Sequence, residues 1–259
     1  MMECLPKTIA FEKRGHIAVF TIDRPEALNA FTREMLVGMD AGFAEFQADP
    51  DLWVAILTGR GERAFCAGMD LKDALPQITG GDEMGYEDHT KRPFSDVYKP
   101  IIAAVNGACI AGGVEFMLGT DLRLAVPHAT FALAETRWGV IPTGGSHVRL
   151  PQQIPWAVAM ELLLTAQTIT AQRAYEVGLV NRIVEPAELM PAAIEWAEKI
   201  CKNGPLAVRT AKEIAVRALQ QATPFVLEKA IGARVFASED AKEGPRAFAE
   251  KRAPRFTGK

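Results

Sequence analysis

Residues 52–58 and 101–105 form two nearly unbroken apolar runs of strand length. A strand with one solvated face alternates apolar and polar side chains, so runs of this kind predict strands buried on both faces. That requirement points to an α/β protein in which helices cover a largely parallel sheet. Further strands are expected at 8–12 and 16–22, separated by a turn at Lys13-Arg14-Gly15, and at 122–126 and 130–134. Pro25 closes the 16–22 run, because it has no N–H to donate and restricts Arg24 before it.

Thr32 is a candidate N-cap for a helix reaching about Phe46. Beyond Pro155 the pattern turns helical, with helices expected at 156–164, 187–202, 205–220, 224–236 and 239–251. Pro205 and Pro224 fall at helix starts, where a missing N–H costs little. No internal repeat or low-complexity linker divides the chain. The segment 73–98, with Gly80, Gly81 and Gly85, reads as a loop-rich excursion of the kind that often serves as a lid. At 259 residues, 49% apolar and 24% charged, the chain can build one large domain with a sizeable core.

A net charge of −3 removes nucleic acid from the expected partners, since that binding relies on cations that neutralise phosphates. Cys4, Cys66, Cys109 and Cys201 are scattered with no Cys-x-x-Cys pair, which argues against a disulfide framework and for a reducing compartment. His16, His89, His128 and His147 lack ligand spacing, so no metal site is expected. The N-terminus carries no apolar leader, and 100–114, the longest charge-free stretch, is too short to span a bilayer. A cytoplasmic protein with no membrane partner is the expectation. Gly59-Arg60-Gly61-Glu62-Arg63-Ala64 loosely fits a dinucleotide-binding pattern, but no long amphipathic helix follows, and it reads as an exposed turn. A P-loop and a Gly-x-Ser-x-Gly elbow are both absent.

Two strand-to-turn passages remain as candidates for chemistry. One is Ala64-Phe65-Cys66-Ala67-Gly68-Met69-Asp70-Leu71, and the other runs from Asn106-Gly107 to Ala111-Gly112-Gly113-Val114-Glu115. Small residues let the backbone approach a ligand, and N–H groups at a helix start are unpaired. Facing each other, such turns aim two N–H donors at one oxygen; singly, each also reads as a helix cap or tight connection. Glu115 falls in the first helical turn among Val114, Phe116, Met117 and Leu118, where burial would raise its pKa toward the proton-transfer range. The helix dipole alone also favours an acid there. Glu135 follows an apolar run and reads either as a second carboxylate or as a surface acid beside Arg137. Two carboxylates beside one double bond suit hydration, one taking a proton from water and the other serving the adjacent carbon.

At these residues the chain resembles the crotonase (enoyl-CoA hydratase/isomerase) superfamily. The likeness runs through Arg24-Pro25-Glu26-Ala27-Leu28-Asn29-Ala30, the two glycine turns, Glu135, Trp138-Gly139-Val140-Ile141-Pro142, Gly178-Leu179-Val180-Asn181, Glu243-Gly244-Pro245 and Phe248-Ala249-Glu250-Lys251-Arg252. It implies a repeated ββα spiral core over 1–190, carrying the active site, and a C-terminal helical trimerisation region over 191–259. The resemblance places an oxyanion hole on the N–H groups of Met69 and Gly112 and the two hydratase glutamates on Glu115 and Glu135. It lines a coenzyme-A (CoA) moiety with Arg24, Ala27, Leu28, Ala67, Asp70 and Leu71. It further implies an acyl-CoA thioester substrate, no cofactor beyond the CoA that the substrate carries, and a homotrimer or homohexamer. Reversible hydration of a 2-enoyl-CoA is the expected activity. An enoyl-CoA isomerase on the same site, or a non-catalytic acyl-CoA-binding assembly protein, stands as the alternative. Two departures from the family pattern are visible. Pro142-Thr143-Gly144-Gly145-Ser146 stands where many hydratases have Pro-Gly-x-Gly-Gly, and Met69 is bulkier than the alanine often found there.

Overall fold

The computed structural model describes residues 5–72 and 88–258; most of the expected 73–98 excursion, namely 73–87, lies outside the described residues, as do Cys4 and Lys259. Strands β1 (Ile9–Arg14) and β2 (Ile17–Ile22) form an antiparallel hairpin. β3 (Val54–Gly59), β5 (Ile101–Val105), β7 (Leu122–Ala125) and β10 (Arg182–Ile183) then extend the sheet in parallel from β2, in the order β1-β2-β3-β5-β7-β10. β3 and β5 are buried along their whole length, as their unbroken apolar runs require.

Most of a second sheet was not legible in the sequence. β4 (Ala64–Cys66), β6 (Ala108–Ile110) and β8 (Thr130–Ala132) run parallel, and β9 (Ile169–Thr170) adds an antiparallel edge. β3 leads into β4, β5 into β6 and β7 into β8, so each turn of the chain gives one strand to each sheet. That alternation is a spiral. Strands of two or three residues have no period to read, which is why β4, β6 and β9 escaped, whereas β8 falls within the strand expected at 130–134.

Two buried asparagines hold the crossovers. Asn29 donates to the carbonyls of Arg60 (3.0 Å) and Ala64 (2.7 Å). Asn106 donates to Gly61 (2.7 Å) and Ala64 (3.0 Å) while its Oδ1 accepts from the Gly59 N–H (3.1 Å). The carbonyls that leave the first sheet at Gly59–Ala64 are thereby satisfied inside the core, where an unpaired polar group is costly.

Helix α1 (Arg33–Ala48) starts where expected, with the Thr32 hydroxyl accepting from the Met35 N–H at 3.3 Å. α2 (Gly112–Leu118) is buried throughout. α3 (Ser146–Gln153), α4 (Trp156–Thr165) and α5 (Ala171–Glu176) follow. α6 (Leu189–Cys201) lays Leu189, Ala192, Ala193 and Ala197 across β2, β3, β5 and β7. α7 (Pro205–Ala218), α8 (Ala222–Phe236) and α9 (Glu239–Ala249) complete the chain, α8 packing on α3 and α9 on the turn Glu135–Trp138. Pro205 opens α7 as read from the sequence, and Ser238 caps α9.

Candidate active site

The two glycine turns meet. Phe31 pairs with the first through its N–H to the Gly68 carbonyl (2.9 Å) and its carbonyl to the Asp70 N–H (2.8 Å), and its ring packs on Gly112 in the second. At Gly68 φ is +93°, and a Cβ there would lie 2.9 Å from the Ala111 side chain and 3.3 Å from the Gly112 nitrogen. Only glycine permits that approach. Ala111 itself takes φ +53°, a strained conformation for a residue with a side chain, costing on the order of 1–3 kcal/mol. Among the described residues neither the Met69 N–H nor the Gly112 N–H has an acceptor. Two unspent donors thus stand on facing turns.

Glu115, one helical turn into α2, is buried with a donor set around Oε1. The Gly144 N–H reaches it at 2.6 Å, the Ser146 hydroxyl at 3.1 Å and the Ser146 N–H at 3.4 Å. Glycine at 144 allows this approach, because a Cβ at this position would sit 2.5 Å from the carboxylate. Burial, and then the negative charge of Glu228, push the Glu115 carboxyl up to about 7 against those three stabilising donors. Glu135 opens the short turn after β8 and is pushed up further, to about 8, by burial and then by the charge of Glu115. Its Oε2 is buried without a hydrogen-bond partner among the described residues. Glu135 thus feels the charge of Glu115, though it is not among the residues that wall the adjoining cavity.

A cavity of about 610 Å³ opens from Phe31, Met69, Glu115 and Gly144 and continues along one face of α1. Its volume suits a small-molecule site. Thr143 lines it, whereas Ser146, the other departure from the glycine-rich family pattern, is fully buried and spends its hydroxyl on Glu115.

The residues expected along CoA also gather. Arg24 pairs with Asp70 at 2.7 Å and donates to the Ala30 carbonyl at 3.0 Å. The Leu28 carbonyl accepts from the Ala67 N–H at 3.1 Å, and the Leu28 side chain is exposed. Ala27 ends the short turn Pro25–Ala27 just before it, and Leu71 follows Asp70 at the margin of the described residues.

Sequence reasoning missed the layer behind Glu115. Glu228 of α8 is buried and bound by Arg92 (Nε at 3.0 Å, Nη2 at 2.9 Å) and by His147 Nδ1 at 3.0 Å. Arg92 also donates to the Phe225 carbonyl at 3.0 Å and lies over the Phe225 ring. No local motif announces this cluster. Its members come from three separated segments.

The sequence profile described as Enoyl-CoA hydratase/isomerase matches residues 12–259. The chain is 44% identical over 257 residues to enoyl-CoA hydratase EchA19 of Mycobacterium tuberculosis, covering 95% of this chain and 94% of that one. It is 38% identical over 248 residues to a short-chain-enoyl-CoA hydratase of Clostridium acetobutylicum, covering 94% and 95%. A solved carnitinyl-CoA dehydratase from Mycobacterium avium superposes with a TM-score of 0.86 at 36% identity, covering 98% of this chain and 100% of that one. This chain belongs to the enoyl-CoA hydratase/isomerase family.

Proposed function

We propose that Glu115 and Glu135 add water across the double bond of a 2-enoyl-CoA whose thioester oxygen is held by the N–H groups of Met69 and Gly112. The protein is a hydro-lyase of the enoyl-CoA hydratase type. The observation that carries the mechanism is the asymmetry of the two carboxyls. Close, buried acids titrate as a pair, and near neutrality they hold about one proton between them. Glu115 has three donors to stabilise its charge, while Glu135 has a buried oxygen with no partner among the described residues, so the proton belongs on Glu135.

In hydration Glu115 takes a proton from water as its oxygen bonds to C3. The electrons of the C2–C3 bond move onto the thioester, where the two N–H groups stabilise the oxyanion. The Glu135 proton then goes to C2, and the net change is addition of one water. Each donor of such a hole is worth about 10²–10³ in rate. Hydration is redox-neutral and calls for no cofactor beyond the CoA that the substrate carries. Two carboxyls, one of which feels the charge of the other, favour hydration over isomerisation, which one shuttling carboxylate can perform.

The residues Arg24, Ala27, Leu28, Ala67, Asp70 and Leu71 are proposed to line the CoA moiety, with the Arg24–Asp70 pair fixing the turn that presents Met69. Homotrimer or homohexamer assembly through the C-terminal helices and a cytoplasmic location are proposed with it. No described helix is long and apolar enough to cross a membrane. The named relatives differ in acyl group, so they leave that part of the substrate open. Loss of absorbance at the conjugated thioester band on mixing with crotonyl-CoA, and with longer 2-enoyl-CoA thioesters, tests the reading. Glu115→Gln and Glu135→Gln should each slow it by about 10²–10⁴. Wild-type rates in both variants would overturn the mechanism.

A further inference from the structure

The cavity that starts at the site does not stop there. Along α1 its wall takes Arg33, Leu36, Val37, Asp40, Ala44 and Gln47, which repeat at helical spacing and so occupy one face of the helix. From outside the helix Phe31, Phe94 and Val97 add apolar lining, beside the polar Lys91, Ser95 and Thr143. Ring contacts step from Phe31 to Phe116 (4.9 Å), Phe116 to Phe94 (6.1 Å) and Phe94 to Phe43 (4.3 Å), leading from the Gly112 turn to the middle of α1. Val37, one turn before Asp40, is an exposed apolar residue on the cavity wall. An apolar acyl stem fits that passage.

Asp40 is an acidic residue on the α1 side of this mixed wall. It lies seven helical residues beyond Arg33, about 10 Å along the axis from the end of α1 that adjoins Phe31 and Met69. Two other aspartates on the wall are already engaged, since Lys91 bridges Asp88 (3.3 Å) and Asp96 (2.7 Å). Asp40 makes no hydrogen bond or ion pair with any described residue. It is exposed to solvent on the cavity wall, yet the surrounding protein removes enough water to push its carboxyl up to about 6, so at neutral pH it is still mostly an anion. A partly desolvated carboxylate facing a ligand cavity favours a ligand that brings a donor.

We propose that the acyl group of the natural substrate has an apolar stem ending in a hydrogen-bond-donating head group, which Asp40 receives about two turns along α1 from its start beside Phe31. The proposal rests on the hydratase reading above and adds the class of acyl group. It makes Asp40 a specificity residue and the aromatic passage the measure of stem length.

The test is a series of ω-hydroxy-2-enoyl-CoA thioesters of increasing length, each beside its methyl-terminated counterpart, with wild type, Asp40→Asn and Asp40→Leu. The readout is the ratio of kcat/KM for each pair, which cancels any loss of folded enzyme. In wild type the ratio should rise to about tenfold or more at the length that spans the passage, the worth of one hydrogen bond to a charged group. It should shrink in Asp40→Asn and fall below one in Asp40→Leu. A ratio near one at every length, or the same ratio in all three proteins, overturns the proposal while leaving hydration intact. Calorimetric binding of the matching saturated thioesters reads the same preference without turnover. Slow hydration of every compound together with an unchanged binding preference would therefore count against the mechanism and not against Asp40.

Discussion

Glu115 and Glu135 are the same residue type with opposite surroundings, and the proposed roles rest on that difference. Three donors favour charge on one, and a buried oxygen with no partner among the described residues favours the proton on the other. Activity in the hydration direction should then rise with pH as Glu115 ionises near 7 and fall as Glu135 loses its proton near 8, a narrow bell whose limbs belong to the pair. Ser146 gives this a handle. Its hydroxyl stabilises the ionised form of Glu115, so removing it raises the Glu115 pKa and moves the low-pH limb upward. Ser146→Ala should shift that limb by about one pH unit, and a limb that stays in place would separate Ser146 from the base. The sequence already marked Ser146 as a side chain where relatives often carry glycine. What it left open was the direction of the hydroxyl, because that depends on α3 meeting α2, elements with some thirty residues between them.

Elements with a strong local signal were legible: two unbroken apolar strands, a Thr32-capped helix and the proline-started α7. The short strands β4, β6 and β9 of the second sheet were not, since backbone pairing to neighbours defines them and no side-chain period does. The same reason hid the support behind the base, where Glu228 and Arg92 stand 136 positions apart in the chain. α8 seats its Phe225 and Glu228 on Arg92, His147 and Arg149, so a C-terminal helix closes the back of the site. Glu228→Ala removes the carboxylate from a buried guanidinium and should destabilise the fold by about 3 kcal/mol or more in denaturant unfolding. Glu228→Gln keeps the shape but deletes a negative charge that raises Glu115, so its low-pH limb should move downward, opposite to Ser146→Ala. Opposite shifts from two neighbours of one carboxyl are hard to produce by general loosening of the fold. Identical shifts would break the assignment.

Taken as a whole, the molecule leaves one helix unfinished. α7 has no buried residue, although Lys212 ties it to the sheet through Asp121 Oδ2 (2.7 Å) and the Lys99 carbonyl (3.0 Å). Away from that tether, Ala207, Ala211, Ile214 and Ala218 repeat at helical spacing and are all exposed, with Ile214 at 65% and Leu206 nearby at the same value. α8 adds Leu227 and Ile231, one turn apart and also exposed. A monomer rarely leaves a contiguous apolar face of this kind in water, and small residues between larger ones let a second helix approach closely. Contact between copies of the chain is the covering that costs no new sequence, and closed symmetry is the common outcome for one type of subunit. Light scattering on the eluting protein should read the mass of three or six chains. Ala211→Glu puts a charge at the centre of the stripe and should lower that mass, while Lys212→Met on the tethered face should leave it unchanged. A single-chain mass in the wild type would mean that α7 stays uncovered in solution, and the C-terminal helices would then serve only to brace Glu115 through Glu228.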